Sequence, residues 1–178
     1  LDGLRVTKNE LFLRLFVLKK PLFFPTGAAM TKDDFLALKN HECAASRWVL
    51  IDQARINKFA AATEDHQFIH VDPARAKATP FGGTIAHGAL VLSLLAGLAP
   101  EIMPAVESTS MGVNFGFDRI RFLTPVLCGA EVRARLTITA VTERAPNVLQ
   151  ANMQAVMEIN GAPKPALVAA WMTLTYVE

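Results

Sequence analysis

Residues 85–98, IAHGALVLSLLAGL, contain no Asp, Glu, Lys or Arg and place an aliphatic side chain on nearly every side of a helix. A helix that is hydrophobic all round is a buried one, so the rest of the chain has to wrap it. The run is too short to be a membrane span, which needs about 20 residues. The cover comes after residue 111, where GVNFGFDRIRF, AEVRARLTITAVTE, VLQANMQAVMEING and PALVAAWMTLTYVE are four strand candidates. In the second of these, Val132, Ala134, Leu136, Ile138 and Ala140 alternate with Arg133, Arg135, Thr137 and Thr139. That period of two belongs to an antiparallel sheet with one face covered. RAPN and NGAPK supply the hairpin turns. One central apolar helix and a meander of long strands predict an α+β domain in which a curved sheet wraps the helix.

At 178 residues the chain has room for one well-buried core, and with 52% hydrophobic and 19% charged residues its composition is globular. Eighteen basic and sixteen acidic residues are mixed along the chain, which makes no general electrostatic case for nucleic acid as a partner. Cys43 and Cys128 are far apart and form neither a CxxC motif nor a disulfide framework, so the simpler setting is a reducing cytoplasm with both thiols structural. No integral membrane association is expected.

Ahead of the main domain, TKNE at 7–10 has the form of a capping box, and Leu11, Leu15 and Leu18 follow at helical spacing until KKPLFFPTG interrupts them. Residues 1–30 therefore read as an N-terminal helical extension. It either packs on the main domain or makes a basic amphipathic contact with a membrane surface. Thr31 opens a second helix through KDDFLALKN and starts the main domain, 31–178. SRWVLID reads as a strand. QARINKFAAATED reads as a helix whose inner face carries Ile56, Phe59 and Ala60.

That helix runs into EDHQFIH, residues 64–70. His66 and His70 have the i, i+4 spacing of a zinc-binding helix. However, Gln67 stands where such a motif has its glutamate, Phe68 and the following proline suit a helix end, and no cysteine is near; no metal is expected. Asp65 and His70, five apart across a helix end, can converge on one water. Histidine's ordinary pKa of about 6.5 makes its neutral ring a competent base near pH 7. The alternative is a polar turn in which Asp65 is a cap and His70 a satisfied polar group; spacing alone leaves both open. GGTIAHGAL, 82–90, then sets Thr84 and His87-Gly88 at the front of the apolar helix. Unbonded N–H groups and the positive helix end would there face the core, an arrangement that can hold a carbonyl oxygen as it becomes negative. Gly88 could equally mark only a close approach of helix and sheet.

FAAATEDHQFIHVDPARAKATPFGGTIAHGALVLSLL resembles the hydratase 2 motif of the MaoC-like dehydratases, the R-specific enoyl-CoA hydratases of hot-dog fold. WVLIDQARINKFAAATEDHQFIHVDP and MGVNFGFDRIRFLTPV resemble its NodN-like branch. The resemblance spans about residues 31–177. It implies that Asp65 and His70 are the catalytic pair of a D-x-N-P-x-H pattern and that the Gly88 N–H polarises the thioester carbonyl. Gln67 stands where the pattern has Asn and Phe68 where it has Pro, which implies an amide near the water and a pocket wall. Ile69, Phe81, Gly83, Ile85 and His87 complete the implied substrate-binding set. Ser93 joins it in place of the polar residue that some members carry at the position of Ala96.

The implied reaction is reversible hydration of a trans-2-enoyl thioester of CoA or acyl carrier protein to the (R)-3-hydroxyacyl thioester, without a cofactor, in a homodimer. Arg75, Lys77, Arg119 and Arg121 are candidates for the phosphates. Two other readings stay open: a hot-dog thioesterase, and a non-catalytic acyl-binding module.

Overall fold

The computed structural model describes residues 29–178, so the capping box and helix expected before them lie outside the described residues. Thr31 caps α1, Lys32–Leu36, by accepting from the Asp34 N–H. Two short strands follow, β1 (His41–Glu42) and β2 (Val49–Leu50). Asp52 caps α2, Gln53–Thr63, by accepting from the Arg55 N–H, and the helix buries Ile56 and Ala60. Two single-turn helices, α3 (Phe68–Val71) and α4 (Pro73–Ala76), lead into the apolar helix α5, Gly88–Leu98, continued by a 3-10 turn over Ala99–Glu101. Strands β3 (Thr109–Phe122), β4 (Glu131–Ala145), β5 (Val148–Ile159) and β6 (Leu167–Val177) coincide with the four candidates. The architecture is the expected α+β hot-dog arrangement, an antiparallel sheet curved around one helix.

The strand order is β1-β4-β5-β6-β3, with β2 also on β4. β1 pairs with the middle of β4, His41 with Ile138, and β2 with its start, Val49 with Val132, so the two share one edge. SRWVLID accordingly contributes only a two-residue strand. The meander holds for β4, β5 and β6, with Asn147 in the left-handed region (φ 61°) at the first turn and Gly161 (φ 74°) at the second. It does not include β3, which pairs with β6 at the far edge. The chain therefore crosses from one side of the sheet to the other through residues 123–130. That crossing is tied down on the way: Ala86 N–H donates to the Val126 carbonyl and Cys128 N–H to the Thr84 carbonyl, both at 2.8 Å.

Alternation predicts the core well. Val132, Ala134, Leu136 and Ile138 of β4 meet Leu149, Ala151, Met153, Ala155 and Met157 of β5 in one buried cluster. Leu90, Val91, Leu95 and Leu98 of α5 pack into it. Helix α5 is not buried on every side, however: Ala89, Ser93, Ala96 and Gly97 are exposed. The sheet covers one face of the helix only, and the uncovered face is built from small residues, so little apolar area meets water. Cys43 is buried, and burial pushes its thiol up to about 12, which makes it an inert core residue. Among the described residues no helix is long and apolar enough to cross a membrane.

Edge strand β3 is mostly exposed, with Met111, Val113 and Phe115 showing 49%, 37% and 42% of their surface. Met111 and Val113 share one face, and Phe115 sits at the bulge between Asn114 and Gly116.

Leu95, 1% exposed, has no room to relax when truncated. Leu95→Ala should lose about 2–5 kcal/mol in urea unfolding, whereas Ser93→Ala on the open face of the same helix should stay within about 0.5 kcal/mol.

Candidate active site

Helix α2 ends at Glu64, whose left-handed φ of 61° turns the chain out of the helix. The break separates the two histidines of EDHQFIH: His66 lies in the exposed turn, while His70 sits on α3 and is buried. A two-histidine helix face therefore does not form. Asp65 Oδ1 accepts from the Gln67 N–H at 3.3 Å, a local turn that starts α3 with Gln67 as its cap residue.

The His70 ring is fixed by the segment before α5. Its Nδ1–H donates to the Ile85 carbonyl at 2.7 Å, since a carbonyl can only accept. The Ile85 N–H returns a bond to the Ile69 carbonyl at 3.0 Å. With Nδ1 so occupied, Nε2 is the ring nitrogen left with a lone pair, as a general base requires. Gln53, at the start of α2, braces the same place: its amide donates to the His70 carbonyl at 2.7 Å and accepts from the Thr84 hydroxyl at 2.6 Å. Sequence reasoning did not find Gln53, because nothing in a helix's first turn announces a long-range partner.

His87 stands at the N-cap position of α5, without a capping hydrogen bond from its side chain, and is 3% exposed. Its Nε2–H donates to the Asp65 main-chain carbonyl at 3.0 Å and lies 4.0 Å from Asp65 Oδ2. The His87 and His70 rings stack with centroids 3.8 Å apart and planes inclined by 26°. Asp65, His70 and His87 thus bring potential ligand atoms within 4.8 Å of one another. The stacked rings lie in two separate, nearly parallel planes, so an ion in the plane of one ring lies out of the plane of the other. This favours hydrogen bonding and proton transfer over a shared ion.

Beside this cluster is a cavity of about 510 Å³, lined by His70, Ile85, Ala86, Gly88, Ala89 and Val91 on the helix side. Phe122 to Val126, Ala166 and Leu167 line the other side. Gly88 is the first residue of α5, so its N–H has no partner within the helix. A Cβ added there would come within 2.8 Å of the Phe122 ring, so glycine is what lets the aromatic ring and the helix end approach.

Of the sequence-predicted residues, His70, Ile85 and Gly88 line the cavity. Asp65 is exposed at its margin next to His87, and Gln67 and Phe81 are also exposed. Phe68, Ile69 and Gly83 are partly buried nearby. Arg75 stacks its guanidinium over Phe68 at 4.3 Å, and Arg121 bonds the Ile120 carbonyl at 2.8 Å. Ser93 lies on the open face of α5, its hydroxyl donating to the Ala89 carbonyl. The far wall, FLTPV at 122–126, was read only as part of a motif; its pocket role follows from the crossover, which no local pattern reveals.

An apolar cavity between a helix N-terminus and a sheet, with a carboxylate and an oriented imidazole at its margin, is the site that this hot-dog fold builds. Residues 35–158 match the MaoC-like domain, and the chain belongs to that family. It is 46% identical over 142 residues to nodulation protein N of Rhizobium meliloti, covering 79% of this chain and 88% of that one. It is 42% identical to 3-hydroxyacyl-thioester dehydratase Z of Mycobacterium tuberculosis, over 76% of this chain and 89% of that one. Among solved structures, the (R)-hydratase of Aeromonas caviae involved in PHA biosynthesis superposes with a TM-score of 0.65 at 28% identity. That superposition covers 77% of this chain and 96% of that one.

The Phe122 ring is 57% exposed and can swing aside. Gly88→Ala should therefore unfold in urea within about 1 kcal/mol of the parent, while the displaced ring weakens binding of an apolar ligand in the cavity. Adding Phe122→Ala should restore that binding. A stability loss of several kcal/mol would show instead that the ring is locked in place.

Proposed function

We propose that the chain adds water reversibly across a trans-2-enoyl thioester, giving the (R)-3-hydroxyacyl thioester. The observation that carries this reading is the His70 ring, whose Nδ1–H is held by the Ile85 carbonyl while Nε2 stays available at a cavity that Gly88 also lines. In this reading Nε2 takes a proton from the water as its oxygen bonds to C3. Asp65 holds that water, takes the proton over from the His70 imidazolium and delivers it to C2, which leaves both residues as they began. The hydroxyl ends on C3 and the hydrogen on C2, and dehydration is the same path reversed. The Gly88 N–H and the positive end of α5 stabilise the enolate-like oxygen, a charge that exists mainly in the transition state and so lowers the barrier selectively. The thioester itself activates the double bond, so no cofactor enters.

CoA or an acyl carrier protein would carry the acyl group, with Arg75, Lys77, Arg119 and Arg121 as candidates for its phosphates. Two free thiols fit a cytoplasmic setting. The likeness to a named dehydratase and a named hydratase supports the reaction class.

Crotonyl-CoA tests the reading: wild-type protein should consume the enoyl absorbance without releasing thiol. Asp65→Asn and His70→Gln should each lose at least about a hundredfold in kcat while remaining folded. Thiol release without hydration would replace the hydratase by a thioesterase, and unchanged turnover in either variant would remove this mechanism.

A second copy of the chain is the proposed partner. An edge strand that presents Met111, Val113 and Phe115 to solvent is a surface that natural proteins ordinarily cover. Sedimentation should find a dimer at micromolar concentration and a monomer for the Val113→Asp/Phe115→Asp double variant. A monomeric parent would contradict the pairing.

A further inference from the structure

His87 is the most deeply buried polar group of the site, yet it is absent from the cavity wall. Its hydrogen bond and its stacking contact go to the residues that do the proposed chemistry. Nε2–H holds the Asp65 main chain at 3.0 Å, the ring face lies on His70 with centroids 3.8 Å apart, and the next residue is Gly88. Phe59 of α2 closes the remaining side, its ring centroid 5.1 Å from that of His87. Among the described residues Nδ1 has no hydrogen-bond partner, so the single bond to Asp65 and the two ring contacts are what orient the side chain.

Asp65 needs such a clamp. Its side chain is 53% exposed, and among the described residues its carboxylate has the long 3.3 Å bond from the Gln67 N–H and the 4.0 Å approach of His87 Nε2 as its contacts. Without the bond from His87, the Glu64–Gln67 turn would be tied to the α5 end by no other side-chain hydrogen bond among the described residues. His70 is held at Nδ1, and the stacked His87 ring limits how far its plane can tilt about that bond.

We propose that His87 is the positioning residue of the site: it sets the separation of the Asp65 carboxylate and the His70 imidazole relative to the Gly88 N–H, without touching substrate. This rests on the hydration reading for its kinetic consequence but not for its structural one. A group that only positions the reacting residues is felt in kcat, since a misplacement of about 1 Å costs roughly a hundredfold in rate. A group that contacts bound substrate is felt in KM.

Three variants separate the contributions. His87→Phe keeps a stacked ring and removes the donor. His87→Gln keeps an N–H of similar reach and removes the ring. His87→Met keeps neither and repeats the test if the phenylalanine variant does not fold. With crotonyl-CoA, His87→Phe should lose roughly a hundredfold in kcat with KM within about threefold, and His87→Gln should recover at least about a tenfold part of that loss. Turnover within twofold of the parent in His87→Phe, or a loss carried by KM alone, overturns the proposal.

Nitrogen-15 spectra give a readout that does not depend on turnover. In His87→Phe the amide signals of Asp65 to Gln67 should shift and the His70 Nδ1–H should exchange faster; unchanged signals overturn the proposal. A wild-type protein that hydrates no enoyl thioester, together with those spectral changes, would sink the hydration reading and leave the positioning role standing.

Discussion

Three residues of extended chain, Thr84 to Ala86, hold the site together through their backbone. The Ile85 carbonyl takes the His70 ring and the Ile85 N–H takes the Ile69 carbonyl, while Thr84 and Ala86 bond the crossover at Cys128 and Val126. These bonds are buried or nearly so, and a buried backbone group left without a partner costs about as much as a lost hydrogen bond. The segment therefore has one satisfactory position. From it follow the direction in which α5 starts, the tautomer of His70 and the wall formed by Phe122 to Val126.

The placement of α5 has an electrostatic consequence. Its N-terminus opens on a cavity whose lining is mainly aliphatic and aromatic, where the partial positive charge of unbonded N–H groups is poorly screened. A developing oxyanion is stabilised more there than at an exposed helix end. The two groups proposed to do the chemistry are divided between environments: His70 is buried and doubly braced by Ile85 and Gln53, whereas Asp65 stays at the solvent edge, where water can reach it.

The sheet strands were legible in the sequence because each side chain's burial depends on a period of two that the chain displays openly, as in Val132 to Ile138. The pair Asp65 and His70 was legible as a spacing, and Gly88 as a helix start. What local pattern could not show was relative placement. Nothing near β3 says that it joins β6 instead of β4, and hence nothing says that FLTPV faces Gly88. Helix α5 was read as buried on all sides because hydrophobicity reports that a residue can be buried; the open stripe of Ala89, Ser93 and Ala96 depends on how far the sheet reaches. Gln53 and His87 escaped notice as structural braces for the same reason. Their hydrogen bonds run 17 and 22 residues along the chain, and only the fold brings the partners together.

The central claim is that the Gly88 N–H and the free Nε2 of His70 act on the same bound thioester. A crystal structure with a non-hydrolysable enoyl-thioester analogue tests it most directly. The account predicts the carbonyl oxygen about 3 Å from the Gly88 nitrogen, with C3 on the side of His70. A carbonyl oxygen anchored elsewhere, with the Gly88 N–H turned to solvent, would contradict it.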